Sequence, residues 1–404
     1  MSLVVQKYGG TSVADPERIR EVAENVVRSR RRGDVVVVVS AMGKETDELL
    51  RLAREVAKNP SGREMDMLIT AGERKATALV TMALEEMGCP AASFTGSQAG
   101  FLTDAQHQNA KILEVNPDRV RDAIAQGKVA VVGGAQGVSA EREITFLGRG
   151  GSDTTAVALA KALDADSCEL YTDVSGVFTA DPRIVSTARR MNKLSFDEML
   201  EMTATGCPKP AMRSVEFART HHVPLHIRSA FTWEPGTWVT EEDPNMEQAI
   251  ITAVTHDLSE AKVTVNAVPD SPGIAAKLFR ALAEHSVNVD MIVQDVSHDG
   301  TTDISFTTPL EDAPAAAQVA NTLAGELGAG SVAVDEHIGR VSLIGAGMKT
   351  HPGVAATMFE TLAANDINIE MISTSAIRIS CVVRQDQVET AVVKLHDAFK
   401  LEAV

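Results

Sequence analysis

Aromatic side chains and cysteines are scarce in this chain of 404 residues: 4% are Phe, Trp or Tyr, and four are Cys. Cys89, Cys168, Cys207 and Cys381 are widely scattered with no paired spacing, which argues against a disulfide framework and a zinc site. No run approaches the roughly 18 apolar residues of a membrane span. The stretch Met1-Ser2-Leu3-Val4-Val5-Gln6-Lys7 has no long apolar segment or cleavage site, so secretion is not expected and a cytoplasmic location is. Basic residues are outnumbered: 38 Lys+Arg against 55 Asp+Glu leave a formal charge of −17. That field repels nucleic acid and anionic membranes, and neither is expected as a partner. An anionic small substrate stays open, because a local cluster of amides and basic side chains overrides a distant surface field.

Aliphatic residues are plentiful. A hydrophobic content of 44% supplies real cores, and the length calls for two or three domains. The first ~240 residues alternate strand and helix signals, the pattern of a three-layer α/β domain. Leu3 to Lys7 reads as a strand ending in Tyr8-Gly9-Gly10; Asp15 then caps a helix that opens on Pro16. Val35 to Val39 is an unbroken valine run, the mark of a strand buried on both faces of a parallel sheet. Lys128 to Val132, Cys168 to Tyr171 and Pro224 to Ile227 read as further strands.

A short acidic, Pro-containing stretch at 241–245 marks a boundary, and beyond it the chain repeats itself. Residues 271–292 align without gaps with 351–372, and ten of the 22 positions are identical, both Pro-Gly pairs included. Each copy reads as a strand (from Lys262; from Arg340), a Pro-Gly turn, an amphipathic helix, a short strand around Val-Asn-Val or Ile-Asn-Ile, and another strand. This is a small α+β unit with an antiparallel sheet, occurring twice. Purely structural dimerisation domains and a ligand site at the Pro-Gly turn are both open readings. Free amides at a helix N-terminus suit a carboxylate.

Three segments carry chemistry. Lys7-Tyr8-Gly9-Gly10-Thr11-Ser12 lies between a strand and a helix; its glycines allow close approach to phosphate oxygens and Lys7 neutralises charge on a transferred phosphoryl group. A plain tight turn is the alternative. In Gly148-Arg149-Gly150-Gly151-Ser152-Asp153, capping by Ser152 or Asp153 would explain the polar residues, but not an arginine between glycines, whose planar fork suits a carboxylate. Thr172 to Arg183 leaves the end of a strand and makes two turns, where α/β sheets bind ligands. Glu73, within Thr70-Ala71-Gly72-Glu73-Arg74, is open to two readings: a surface pair with Arg74 or Lys75, or a partner for a substrate ammonium. His221-His222 has no metal-ligand context and reads as a solvated helix end.

Taken in order, these segments, with Thr46-Asp47-Glu48-Leu49 and residues 93–100, resemble the aspartate kinases of the amino acid kinase superfamily, and the repeat resembles two ACT domains. The resemblance covers nearly the whole chain. It implies a three-layer α/β/α kinase domain with a mainly parallel sheet over 1–245, then two ferredoxin-like α+β ACT domains over 246–336 and 337–404. It implies transfer of the ATP γ-phosphoryl group to the β-carboxylate of L-aspartate, with Mg²⁺ carried mainly by the phosphates. Lys7, Asp153 and Lys209 are the implied catalytic residues. Tyr8, Gly9, Gly10, Thr172, Asp173, Phe178, Thr179, Ala180, Asp181, Pro182 and Arg183 would surround the nucleotide. Ser40, Thr46, Glu73, Arg149, Gly150, Gly151 and Ser152 would hold the substrate. Asp270, Gly273, Ile274, Gln294, Asn368, Ile369 and Ser375 would hold an amino-acid effector, threonine or lysine. Exposed edges of the duplicated sheets imply a homodimer or larger assembly.

Two departures from the family pattern stand out. Where Gly-Ser-Lys is usual, residues 206–210 read Gly-Cys-Pro-Lys-Pro. Pro208 thus replaces the second phosphate-facing lysine, and Lys209 follows one position later; losing such a lysine costs on the order of 3 kcal/mol of transition-state stabilisation. Ile274 and Ala376 stand where a glutamate is frequent, and an apolar side chain cannot pair with an effector's ammonium, so weakened lysine inhibition is expected. A kinase for another amino-acid carboxylate and a weakly catalytic sensor subunit remain the competing readings.

Overall fold

The computed structural model describes residues 2–242, 250–294 and 300–403. The chain forms two compact units. The first takes residues up to Val177, Arg190–Ala204 and the stretch from Pro208; the second takes Phe178–Arg189, Thr205–Cys207 and the C-terminal part. The boundary expected at 241–245 falls largely outside the described residues.

An eight-stranded sheet forms the first unit's spine. In spatial order its strands are Lys193–Ser195, Thr237–Thr240, Leu225–Ser229, Ser167–Thr172, Leu3–Tyr8, Asp34–Val39, Val129–Gly133 and Ala91–Phe94. Every pairing is parallel except that of Leu225–Ser229 with Thr237–Thr240. The valine run is buried throughout, as its composition requires. Val35, Val37 and Val39 pack with Ile19, Val22 and Val26 of helix Pro16–Arg30 and with Ala76, Val80 and Leu84 of helix Gly62–Glu86. Side chains alternate across a strand, so Tyr8 joins that face while Lys7 points to the other, where helix Gly151–Ala162 lies against Leu3–Tyr8. Asp15 caps the first helix by accepting from the amides of Glu17 and Arg18, each at 2.9 Å.

The second unit holds two four-stranded sheets with every pairing antiparallel. The first repeat contributes Ile292–Gln294, Thr301–Pro309, Glu260–Pro269 and Val332–Asp335, over a core that includes Leu278, Leu282 and Phe306. The second repeat contributes Ile338–Ile344, Arg378–Arg384 and Met371–Thr374, but its fourth strand, Ala253–Asp257, comes from before the first repeat. Contiguous blocks 246–336 and 337–404 therefore do not coincide with the sheets. The Val-Asn-Val and Ile-Asn-Ile segments are not strands; strands begin at Ile292 and Met371 instead. Val287 and Ile367 are buried while Asn288 and Asn368 are exposed, so the alternation mimics a strand without ladder partners.

Reciprocal ion pairs join the repeats. Lys262 pairs with Glu370, and Arg340 with Asp290. Arg340, 2% exposed, also meets Glu260 at 2.9 Å. Burial pushes the Glu260 carboxyl up to about 7, against the pull of Arg340. Met358 is fully buried in the second repeat's core, so Met358→Ala should lower the unit's stability by about 2–4 kcal/mol through the cavity left behind, read as an earlier urea transition.

Candidate active site

Parallel register brings three strand ends to one level. Tyr8 pairs with Val39 on one side and Tyr171 on the other, so Gly9-Gly10, Ser40-Ala41 and Thr172-Asp173 leave the sheet together, at the carboxyl edge where such sheets bind ligands. Gly10 is a close-approach glycine: a Cβ there would lie 2.8 Å from the Ala41 carbonyl oxygen and 2.9 Å from that of Gly43. The Ser12 amide donates to the Gly9 carbonyl at 2.9 Å, turning the chain directly after the strand.

Lys7 Nζ reaches Asp153 Oδ1 at 2.6 Å, both side chains 12% exposed. Asp153 sits in the first turn of helix Gly151–Ala162, and its second oxygen accepts from the Ala211 amide at 3.1 Å. Neither Ser152 nor Asp153 caps that helix; Gly150 occupies the cap in the left-handed region (φ 71°), with no side-chain bond to the first turn. A Cβ at Gly150 would lie 2.4 Å from the Ala211 Cβ. Arg149, between Gly148 and Gly150, is exposed, while Ser152 is buried. Lys209 pairs with Asp173. Burial works against ionisation of Asp173, but the hydrogen bond and charge of Lys209 outweigh it and hold the carboxyl below its usual range.

Glu73 is 3% exposed, which removes the surface-pair reading. Lys75 pairs instead with Glu45, at 2.6 Å. Burial drives the Glu73 carboxyl up to about 7, against hydrogen bonds that include the Ala41 backbone; its Oε2 has no partner among the described residues. Lys7, Gly9, Gly10, Ser40, Glu73, Arg149, Ser152, Asp153, Thr172, Asp173 and Lys209 thus all belong to the first unit, as do Tyr8, stacked on Tyr171 with ring centroids 4.7 Å apart, and Thr46 in the first turn of helix Glu45–Val56.

Phe178 to Arg183 lie in the second unit. Thr179 is fully buried with its hydroxyl 3.0 Å from His396 Nε2, and Ala180 joins the second repeat's core. Asp181 pairs with Arg183 at 2.6 Å, and Pro182 is exposed. Sequence reading passed over Asp66, Ala211 and Arg213; the position of Asp66 seven residues before Glu73 on one helix was the available signal.

Of the effector candidates, Asp270, Gly273, Ile274 and Gln294 line one cavity of about 270 Å³. Gly273 and Gly353 both cap their helices at positive φ (96° and 105°) with no side-chain bond, conformations that favour glycine. In the second repeat Asn368 is exposed, Ile369 packs against the core, and the Ser375 hydroxyl accepts from the Ile377 amide at 3.3 Å.

The amino acid kinase family profile matches residues 2–229, and ACT domain profiles match 263–328 and 341–399. A mainly parallel sheet with a glycine-lined, lysine-bearing edge and a repeated α+β unit make an amino acid kinase with two ACT domains. An aspartokinase of Mycolicibacterium smegmatis is 57% identical over 99% of this chain and 97% of its own length. One of Mycobacterium tuberculosis is 56% identical with the same coverage. The structure of E. coli aspartokinase III in complex with aspartate and ADP, an R-state, superposes with a TM-score of 0.83 at 25% identity, covering 98% of this chain and 99% of that one. The same enzyme with lysine and aspartate, a T-state, gives 0.76 at 25% identity and the same coverage. The chain belongs to the aspartokinases of the amino acid kinase family.

The raised Glu73 carboxyl predicts a pH dependence. Below about pH 7 burial keeps Glu73 protonated; if it receives a ligand's ammonium, that ammonium meets no anion there, and above pH 7 it meets a carboxylate. The Kd for an amino-acid ligand should therefore tighten by up to about tenfold per pH unit from pH 6 to 7 and level off above. Calorimetric titration of Glu73→Gln should show no such slope.

Proposed function

We propose that this aspartokinase transfers the γ-phosphoryl group of ATP to the β-carboxylate of L-aspartate, giving 4-phospho-L-aspartate and ADP. One carboxylate oxygen bonds to phosphorus as the bond to the bridging oxygen of ADP breaks. The acceptor is already ionised at neutral pH, so no general base is needed; the task is to align two anions and stabilise the charge between them. The Lys7–Asp153 pair at the glycine-lined edge is the observation that carries this reading.

Lys7 meets the transferring group, and Asp153 holds it there. Gly9 and Gly10 present backbone to the phosphates, with Lys209 and Asp173 beside them. Arg149 takes the substrate α-carboxylate and Glu73 its ammonium, with Ser40, Thr46 and Ser152 completing the contacts. An Mg²⁺ would arrive on the nucleotide's phosphates, whose oxygens are the hard donors it prefers. When bound, that ion neutralises phosphate charge. The product feeds lysine and threonine biosynthesis in the cytoplasm, and the ACT repeats pair copies of the chain into a homodimer or larger assembly. No described helix is long and apolar enough to cross a membrane.

Lys7→Ala should lower kcat by about 10²–10³-fold, the loss seen when one preorganised donor is removed from a transition state. A hydroxamate assay with ATP, Mg²⁺ and aspartate measures it, and full activity would refute the assignment. An effector binds the cavity at Asp270, Gly273, Ile274 and Gln294. Because Ile274 and Ala376 offer an ammonium no charge, lysine inhibits weakly. Half-inhibition by lysine alone at sub-millimolar concentration in the same assay would contradict this.

A further inference from the structure

Asp66 is a fully buried carboxylate that the phosphoryl-transfer reading leaves unused. It lies on helix Gly62–Glu86, seven residues before Glu73. That is two turns, about 10 Å along the same face. Three donors converge on it. The Gln108 amide donates to Oδ1 at 2.9 Å, and the Phe146 amide donates to Oδ2 at 3.0 Å. His107 Nδ1 lies 2.8 Å from Oδ2 and serves as the third donor when it carries the ring proton. Two of these donors lead straight to the arginine loop. Phe146 ends a strand three residues before Arg149. A Cβ on Gly148 would lie 3.1 Å from the Gln108 carbonyl oxygen and 3.2 Å from Asn109 Oδ1, so the segment held by Asp66 backs the turn that presents the guanidinium. Arg213 closes the same corner, donating to the carbonyls of Leu147 and Ala110 at 2.8 Å each.

We propose that Asp66 is a positioning residue for the amino-acid half of the site: it ties the loop that bears Arg149 to the helix that bears Glu73 and so sets the distance between the two groups that clamp the substrate. The inference rests on the assignment of Arg149 and Glu73 as that clamp. A buried carboxylate receiving three hydrogen bonds has no adequate replacement in its amide. Asn keeps one acceptor oxygen and turns an NH₂ toward groups that are themselves donors.

The test compares Asp66→Asn, His107→Ala and Arg149→Ala in the full-length enzyme, with KM for aspartate, KM for ATP, kcat and ADP affinity measured for each. Asp66→Asn should raise KM for aspartate about tenfold or more while KM for ATP and ADP affinity stay within about twofold. His107→Ala, which removes a donor that is 25% exposed, should give the same split at about two- to fivefold, and it decides the matter if the Asn variant fails to fold. If Arg149→Ala leaves KM for aspartate unchanged, the clamp assignment itself falls. If Arg149→Ala raises it but the Asp66 and His107 variants only lower thermal stability, or raise both KM values alike, the positioning role is overturned.

Discussion

Lys7 and Asp153, 2.6 Å apart and mostly buried, are the contact on which the catalytic unit's arrangement depends. Strand alternation turns Lys7 toward the face covered by helix Gly151–Ala162, and a cation there needs an anion. Asp153 answers from the helix's first turn. Its other oxygen is taken by the Ala211 amide, two residues after Lys209, which pairs with Asp173 at the end of a neighbouring strand. One carboxylate thus fixes a strand end, a helix start and the returning 208–211 loop. Gly150 is forced by the same closure, since any side chain would strike Ala211.

These pairs also reconcile chemistry between two anions with a chain of net charge −17. The surface field is distant, while the cations at the strand ends are close and already oriented. Each is held by an acid, and in the proposed transfer a phosphate or carboxylate would compete for a cation that is already placed. Glu73 works in the opposite sense. Burial without a full set of partners keeps its carboxyl near 7, and an ammonium group supplies the charge that would bring it down.

What could be read from the sequence divides along the range of the interactions. Local signals held: Asp15 caps ahead of Pro16, the 35–39 valines are buried, and both Pro-Gly turns open helices at a left-handed glycine. Glycine and lysine motifs at strand ends were legible because register is set by the strands that carry them. Long-range choices were not. Nothing near Ala253–Asp257 announces that it pairs with Ile338–Ile344 rather than with its own repeat. Thr179 and Ala180 read as part of a nucleotide-binding loop, yet Thr179 is buried against His396 and Ala180 joins a core shared with Ile251, Val254 and Val341, all distant in sequence. The burial of Glu73 depends on the Ser40-Ala41 turn closing over its helix. Asp66, between Met65 and Met67, gave no local sign of its role, because its three donors come from two distant segments.

The exchanged ion pairs of the duplicated unit bear on its history. Corresponding strands carry Lys262 and Arg340, corresponding loops carry Asp290 and Glu370, and each base meets the acid of the opposite copy. The longer, forked base faces the shorter acid and the shorter base the longer acid, so combined reach is conserved where neither member is. The two copies are thereby coupled, so a charge change in one bears on the other. Reversing a sign in either half sets like charges against each other across the two copies, and a compensating change in the other half restores the pair.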